Sequence, residues 1–178
     1  MNMKHYLLPI LIVIGIATAC SHSNKSIEKT DPQIVLKPFS DSLKADTFKL
    51  VLNGEKLQEM SMVFSITAHN GQQIYNKIFK ATDLINNYKA SVDLEKERTQ
   101  VSFIKDEFKL FFDEENFLEP AVTENESPDQ YTPDTLFYNE LKKSGLNGFK
   151  YRSGKETSVY IAWSEQEKKV KPYYKCCN

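Results

Sequence analysis

Few side chains in this sequence combine the residue type and the spacing that chemistry requires. Cysteine and histidine are the rarest reactive groups, with three copies each, the cysteines at positions 20, 176 and 177. Cys20 follows the small residues Ala17-Thr18-Ala19 directly, so a cut after Ala19 would leave its thiol at the new N-terminus. Adjacent Cys176 and Cys177 can bond to each other, pair with another chain or stay free at the end of the chain. Histidine occurs after residue 19 only as His22 and His69. Ser-His-Asp and Cys-His machinery needs a base oriented by a third group, and a zinc site needs three or four His or Cys ligands. Two scattered histidines supply neither, so no catalytic residue, metal ligand or cofactor site is assigned. The glycines past residue 19, at 54, 71, 145, 148 and 154, form no phosphate-cradling loop. Aromatic side chains interleaved with bases stand out near the C-terminus, and Tyr151, Arg152, Tyr160 and Trp163 form the candidate ligand surface. Stacking and charge would let such a set hold a glycan, a peptide or an anion. Strand alternation gives a second account, with aromatics facing inward and bases outward.

Residues 1–19 read as an export signal. Lys4 gives a basic start, and Tyr6 to Ile16 is an apolar run broken by Pro9 and Gly15. Eleven residues suit a signal core and fall short of the roughly 20 that span a bilayer. Ala17-Thr18-Ala19-Cys20 resembles the lipobox of bacterial lipoproteins, departing from it at Ala17, where leucine is usual. The resemblance implies cleavage between Ala19 and Cys20, lipidation of Cys20 and membrane attachment through two or three acyl chains. Ala17-x-Ala19 also fits an ordinary secretory cut. Ser21 beside the lipid cysteine and the lack of an acidic cluster after it imply, by the same resemblance, the outer membrane and its periplasmic face.

Removing residues 1–19 leaves 159 residues of net charge −2, enough for one domain with a real core. That balance gives no global attraction to nucleic acid. Charge is nonetheless uneven. Residues 113–134 carry eight acids and no Lys or Arg, whereas residues 135–178 carry nine bases against four acids.

The elements that must position these groups follow from periodicity. Residues 20–45 read as a lipid-anchored tether, in which Ile34, Val35, Leu36 and Phe39 form a short edge strand. A single domain is expected over 46–175, with 176–178 as a tail. Phe48, Leu50 and Leu52 alternate along one strand, and Met60 to Ala68 along a second. Asn70-Gly71 supplies a tight turn into a third strand over 73–80. Asn86-Asn87 reads as a turn. Val101, Ile104, Phe108 and Phe111 form a helical stripe. An acidic, proline-broken loop over 113–133 follows and reads as a solvated linker; its carboxylates are also oxygen ligands of the kind that hold Ca²⁺, though without EF-hand spacing, and a third reading sets the loop near the basic C-terminal hairpin. Thr132-Pro133-Asp134 reads as a helix start with Thr132 as cap, and Gly145 as its end. Strands at 149–151 and 159–163 make a second hairpin, and Pro172 keeps a last strand on an edge. The expected class is α+β: one antiparallel sheet, from a three-strand meander and a C-terminal hairpin, with two helices on one face.

The lipobox, TFKLVLNGE, HNGQQIY and FFDEENFLEPA together resemble small lipoproteins of Bacteroides-like bacteria, a group of unknown function. That resemblance implies an envelope address and brings no activity. The expected function is a non-enzymatic binding module whose partners are the membrane, through the lipid, and an envelope protein or glycan. Two other readings stay open: a periplasmic hydrolase using paired carboxylates from the 106–119 region, and an inhibitor or immunity-type partner protein.

Overall fold

A computed structural model describes residues 30–88 and 93–176. The sites expected at Ala19 and Cys20, and Cys177, lie outside the described residues. The fold is α+β, and its strands form two four-stranded antiparallel sheets rather than one. The first sheet joins β1 (Gln33–Pro38), β2 (Ala45–Asn53), β3 (Ser61–Thr67) and β4 (Gln73–Lys80) in chain order. Helices α1 (Ala81–Tyr88) and α2 (Glu97–Leu110) follow. The second sheet joins β5 (Phe117–Leu118), β6 (Gly148–Arg152), β7 (Ser158–Ser164) and β8 (Lys169–Cys176), with α3 (Thr135–Ser144) between β5 and β6.

Alternation decides the first sheet. Phe48, Leu50 and Leu52 on β2 face the same side as Met62, Phe64 and Ile66 on β3, and all six are buried. The neighbouring positions Lys49, Val51, Val63 and Ser65 face the other way. Slipping β3 by one residue would turn its whole apolar set to solvent, so the core pins the register. The expected edge strand near residue 35 is present as β1, paired antiparallel to β2. Phe39 just beyond it is buried. At the β3–β4 turn only Gly71 has a positive φ, of 86°. Asn70 contributes instead through its side chain, which accepts from the Gln72 amide at 3.0 Å.

Two local expectations are corrected. Asn86-Asn87 lies inside helix α1, because Ala81, Leu84, Ile85 and Tyr88 recur at helical spacing and all are buried; the asparagines occupy the solvent face. Helix α3 is capped by Asp134, not Thr132: the Asp134 carboxylate accepts from the Phe137 amide at 3.0 Å. Its far end is as expected, with Gly145 left-handed at φ 64° and its amide on the Leu141 carbonyl.

One face of sheet two packs on the inner face of sheet one, with Phe149, Tyr151 and Ile161 in the same core as Phe48 and Phe64. Phe149 lies 5.4 Å from Phe48 and 5.2 Å from Phe64, ring to ring, with Phe111 and Phe112 packed at 5.7 and 5.8 Å from it. Tilted and edge-to-face pairs of this kind add about 0.5–1.5 kcal/mol each beyond their burial. The opposite face of sheet two is also covered. Leu118, Ala121 and Val122, with Phe137, Tyr138 and Leu141 of α3, pack there against Tyr160, Ala162 and Tyr173 in a second, smaller core.

Burial and register together predict contrasting costs. Phe64→Ala should destabilise by about 3–5 kcal/mol, as expected for emptying a large core site. Ile78→Ala, on the outer face and 58% exposed, should change stability by under about 0.5 kcal/mol. Urea unfolding of both variants measures this, and equal costs would mean the register is wrong.

Candidate functional site

The four residues of the expected ligand surface do not share a face. Tyr151 is a core residue, 5% exposed, whose hydroxyl bonds the Tyr75 hydroxyl at 3.0 Å. Trp163 is partly buried and packs on that same main core. Tyr160 faces the second core instead. Arg152 is exposed, with its guanidinium 5.4 Å over the Tyr88 ring. The reason is that sheet two is covered on both sides, so neither face was left free for a continuous aromatic stripe.

The residues that do converge are tyrosines of the second core. Strands β7 and β8 pair Tyr160 with Tyr174 and then Ile161 with Pro172. Tyr173 is the extra residue of a bulge between these pairs. Consecutive strand residues normally face opposite sides, but a bulge allows both Tyr173 and Tyr174 to pack toward the second core. Proline cannot donate to a ladder and is tolerated at such an edge bulge. Tyr160 stands edge-on to both neighbours, with ring centroids 6.0 Å from Tyr173 at 73° and 5.2 Å from Tyr174 at 87°.

These rings wall a cavity of about 500 Å³, within the roughly 300–1,000 Å³ usual for small-molecule sites. Tyr138 of α3 completes the aromatic lining. Leu118 and Ala121 add apolar surface, and Glu119, Glu126 and Asp129 add carboxylates from the acidic loop. The loop is held in place by several bonds. The Tyr173 hydroxyl donates to the Ala121 carbonyl at 2.9 Å, and the Ala121 amide donates to the Leu146 carbonyl at 2.8 Å. Tyr173 passes so close to Gly148 that a β-carbon there would lie 2.8 Å from its hydroxyl. The Lys175 amide donates to the Tyr131 carbonyl at 3.0 Å, which joins the loop to β8. Lys171 extends this with an ion pair to Asp134 at 2.8 Å and another to Glu167.

Within the cavity the polar groups differ in how they are used. Tyr174 donates its hydroxyl to Asp129 Oδ2 at 2.9 Å. Glu126 Oε2 accepts from the Thr123 amide at 2.6 Å and the Thr123 hydroxyl at 2.9 Å. Among the described residues the hydroxyls of Tyr138 and Tyr160 make no hydrogen bond, which leaves both able to serve a ligand. Burial raises the Tyr138 phenol, and the negative Glu126 and Asp129 raise it further. Burial raises Tyr173 as well, followed by Tyr160 and Glu126. Tyr174 is pushed up to about 12, by burial first and then by its bond to Asp129.

Other candidate chemistry is dispersed. Three carboxylates of the 106–119 region, Glu107, Asp113 and Glu115, line a second cleft together with Arg152, whereas Glu119 lines the first cavity. Burial pushes the Glu107 carboxyl above the usual carboxylate range, opposed by Arg152. That cleft measures about 80 Å³, room for a few waters and not for a sugar ring. His69 lies with Nδ1 3.6 Å from the buried Asp46 carboxylate, beyond hydrogen-bond range, and with Lys44 Nζ 3.5 Å from Nε2. Asp46 is engaged by backbone instead, accepting from the Ser40 amide at 2.6 Å and the His69 amide at 2.8 Å. Cys176 closes strand β8 rather than starting a tail, and it is disulfide-bonded. Among the described residues no three His, Cys, Asp or Glu side chains gather to hold a metal ion. No described helix is long and apolar enough to cross a membrane.

The sequence reading missed the site's composition for a definable reason. Of the tyrosines that line the cavity, only Tyr160 belongs to the aromatic–basic set that the sequence singles out. The bulge that aligns them is a register property, visible in sequence only through Pro172.

Raised phenols have a stability consequence. The folded state favours the neutral tyrosines, so their contribution is full below about pH 10, the value for a free phenol, and is lost as pH rises through the folded values. Tyrosinate absorbance should therefore rise in two stages, the second coinciding with loss of near-ultraviolet circular dichroism. A single stage near pH 10 with structure intact would contradict the packing of Tyr75, Tyr151 and Tyr173.

No family model, curated protein or solved structure matches this chain, so any functional reading rests on the cavity and on the residues before the domain.

Proposed function

We propose that this protein is an envelope lipoprotein, held at a membrane by a lipid on Cys20, whose domain is a non-enzymatic binding module. The tyrosine-walled cavity of about 500 Å³ carries this reading. Its size and mixed apolar and polar lining are those of a binding site. Its polar groups suit recognition better than catalysis. Asp129 and Glu126 are occupied by structural donors, and no histidine or cysteine lines the cavity. The hydrolase reading is weaker, because Glu107, Asp113 and Glu115 share a cleft of about 80 Å³, and Glu119, the carboxylate of the 106–119 region that lines the larger cavity, is paired with Lys37.

The anchor rests on the lipobox-like sequence ahead of the domain. β1 begins at Gln33, which leaves 13 residues from Cys20 to Pro32 as the proposed tether. A chain contour of about 3.3–3.6 Å per residue gives such a segment a reach of roughly 40 Å, enough to stand the domain clear of a bilayer surface. Outer-membrane attachment facing the periplasm is the preferred address, and the partner is an envelope protein or glycan.

Two measurements test the parts separately. Metabolic labelling with a palmitate analogue should mark the wild type and not Cys20→Ala; continued labelling of the variant would remove the anchor. Capture from envelope extract should recover a partner with the wild type and lose it with Tyr160→Leu, which keeps an apolar side chain there without an aromatic face. Retention of that partner by Tyr160→Leu would move the binding surface elsewhere.

A further inference from the structure

We infer that the cavity takes a ligand bearing an organic cation, an alkylammonium group seated against the faces of Tyr160, Tyr173 and Tyr174 with Glu126 and Asp129 beside it. The inference rests on the cavity being the module's binding site and names the class of its ligand.

Ring geometry is the first support. Tyr160 stands at 73° to Tyr173 and at 87° to Tyr174, so the aromatic lining is not a flat platform. A sugar ring stacks best on a flat platform. A compact cation gains most where several ring faces border one space, because each face carries negative quadrupole density.

Uncompensated charge is the second. Glu126 and Asp129 line the cavity, and among the described residues neither forms an ion pair. Their donors are neutral: the Thr123 amide and hydroxyl on Glu126, the Tyr131 amide and Tyr174 hydroxyl on Asp129. Hydrogen bonds of this kind orient a carboxylate without cancelling its charge. Lys142, the nearest base to Glu126 by contact, spends its ammonium on the Glu126 backbone carbonyl at 2.6 Å. Glu119 is different, since Lys37 lies 3.4 Å away, so it is not assigned to the ligand. The loop that frames the cavity, residues 113–134, holds eight acids and no Lys or Arg. An anion would meet repulsion there, and a neutral ligand would leave the charge unused. The unbonded hydroxyls of Tyr138 and Tyr160 remain for polar atoms attached to the cationic group.

The test uses the full-length chain purified in a non-ionic polyoxyethylene detergent, titrated calorimetrically. Choline is the cationic probe, its uncharged isostere with carbon in place of nitrogen is the control, and cellobiose is the neutral glycan. Choline should bind, with the isostere roughly tenfold weaker, and choline affinity should fall as salt rises. Glu126→Gln and Asp129→Asn, both exposed and conservative, should each weaken choline about three- to tenfold. Tyr160→Phe should keep binding and Tyr160→Leu should lose it. Equal binding of choline and isostere, or cellobiose binding where choline gives no heat, would overturn the cationic class and leave the cavity as a binding site. Silence from all three probes, together with partner capture unaffected by Tyr160→Leu, would overturn the cavity reading as well.

Discussion

Everything in this fold depends on one aromatic seam. Phe48 and Phe64 of the first sheet meet Phe149 of the second at ring distances of 5.4 and 5.2 Å, and all three are fully buried. Neither sheet is stable as an isolated four-stranded layer with one wet apolar face. Burying Phe149 from one sheet among Phe48, Phe64, Phe111 and Phe112 from the rest of the chain removes apolar area from both partners at once. At about 25 cal/mol per Å², and with roughly 150–250 Å² per aromatic side chain, each ring contributes several kcal/mol before conformational entropy is set against it. α1 and α2 are then fixed by what remains. Leu84, Ile85, Ile104 and Phe108 close the parts of that core which the second sheet does not reach.

The seam also explains why the second sheet behaves unlike the first. Sheet one keeps an open outer face, where Ile34, Leu36 and Ile78 are more than half exposed. Sheet two spends one face on the seam, and its other face is covered by α3 and the loop before it. A two-sided sheet has no clean alternation of apolar and polar residues. β7 shows this directly: Ile161 and Ala162 are adjacent, point to opposite cores and are both buried. Short loop residues cannot fill the second interface as tightly as a helix or sheet could. The shortfall is the tyrosine-walled cavity.

Sequence carried the first half of the molecule well, because β2 and β3 follow a strict period of two and one hairpin turn. Those are local signals. α1 escaped because Asn86-Asn87 resembles a turn while the deciding residues, Ala81, Leu84, Ile85 and Tyr88, lie on either side of it. Splitting of the strands into two sheets was not legible, since alternation says which way a side chain faces and nothing about which sheet a strand joins. The same gap misplaced Tyr151. Its neighbours Arg152 and Lys150 made it look like part of a mixed recognition strip, whereas Tyr75, 76 residues earlier, supplies its hydroxyl partner. Long-range partners of this kind leave no trace in spacing.

That distinction bears on where function can sit in a chain of this design. A residue tied into the seam, such as Tyr151, has its ring enclosed and its hydroxyl bonded, and it cannot move without loosening both sheets. Tyr160 has a partly buried ring and a hydroxyl with no partner among the described residues. Tyr174 is tethered to Asp129 at the surface and can exchange that bond for a ligand at little cost to the fold. Binding groups must be held firmly enough to be organised and loosely enough to change partners. The second core meets both conditions: the Tyr173 hydroxyl is locked to Ala121, and the rings beside it are free to be used. The seam supplies the rigidity, and the imperfectly filled face behind it supplies the site.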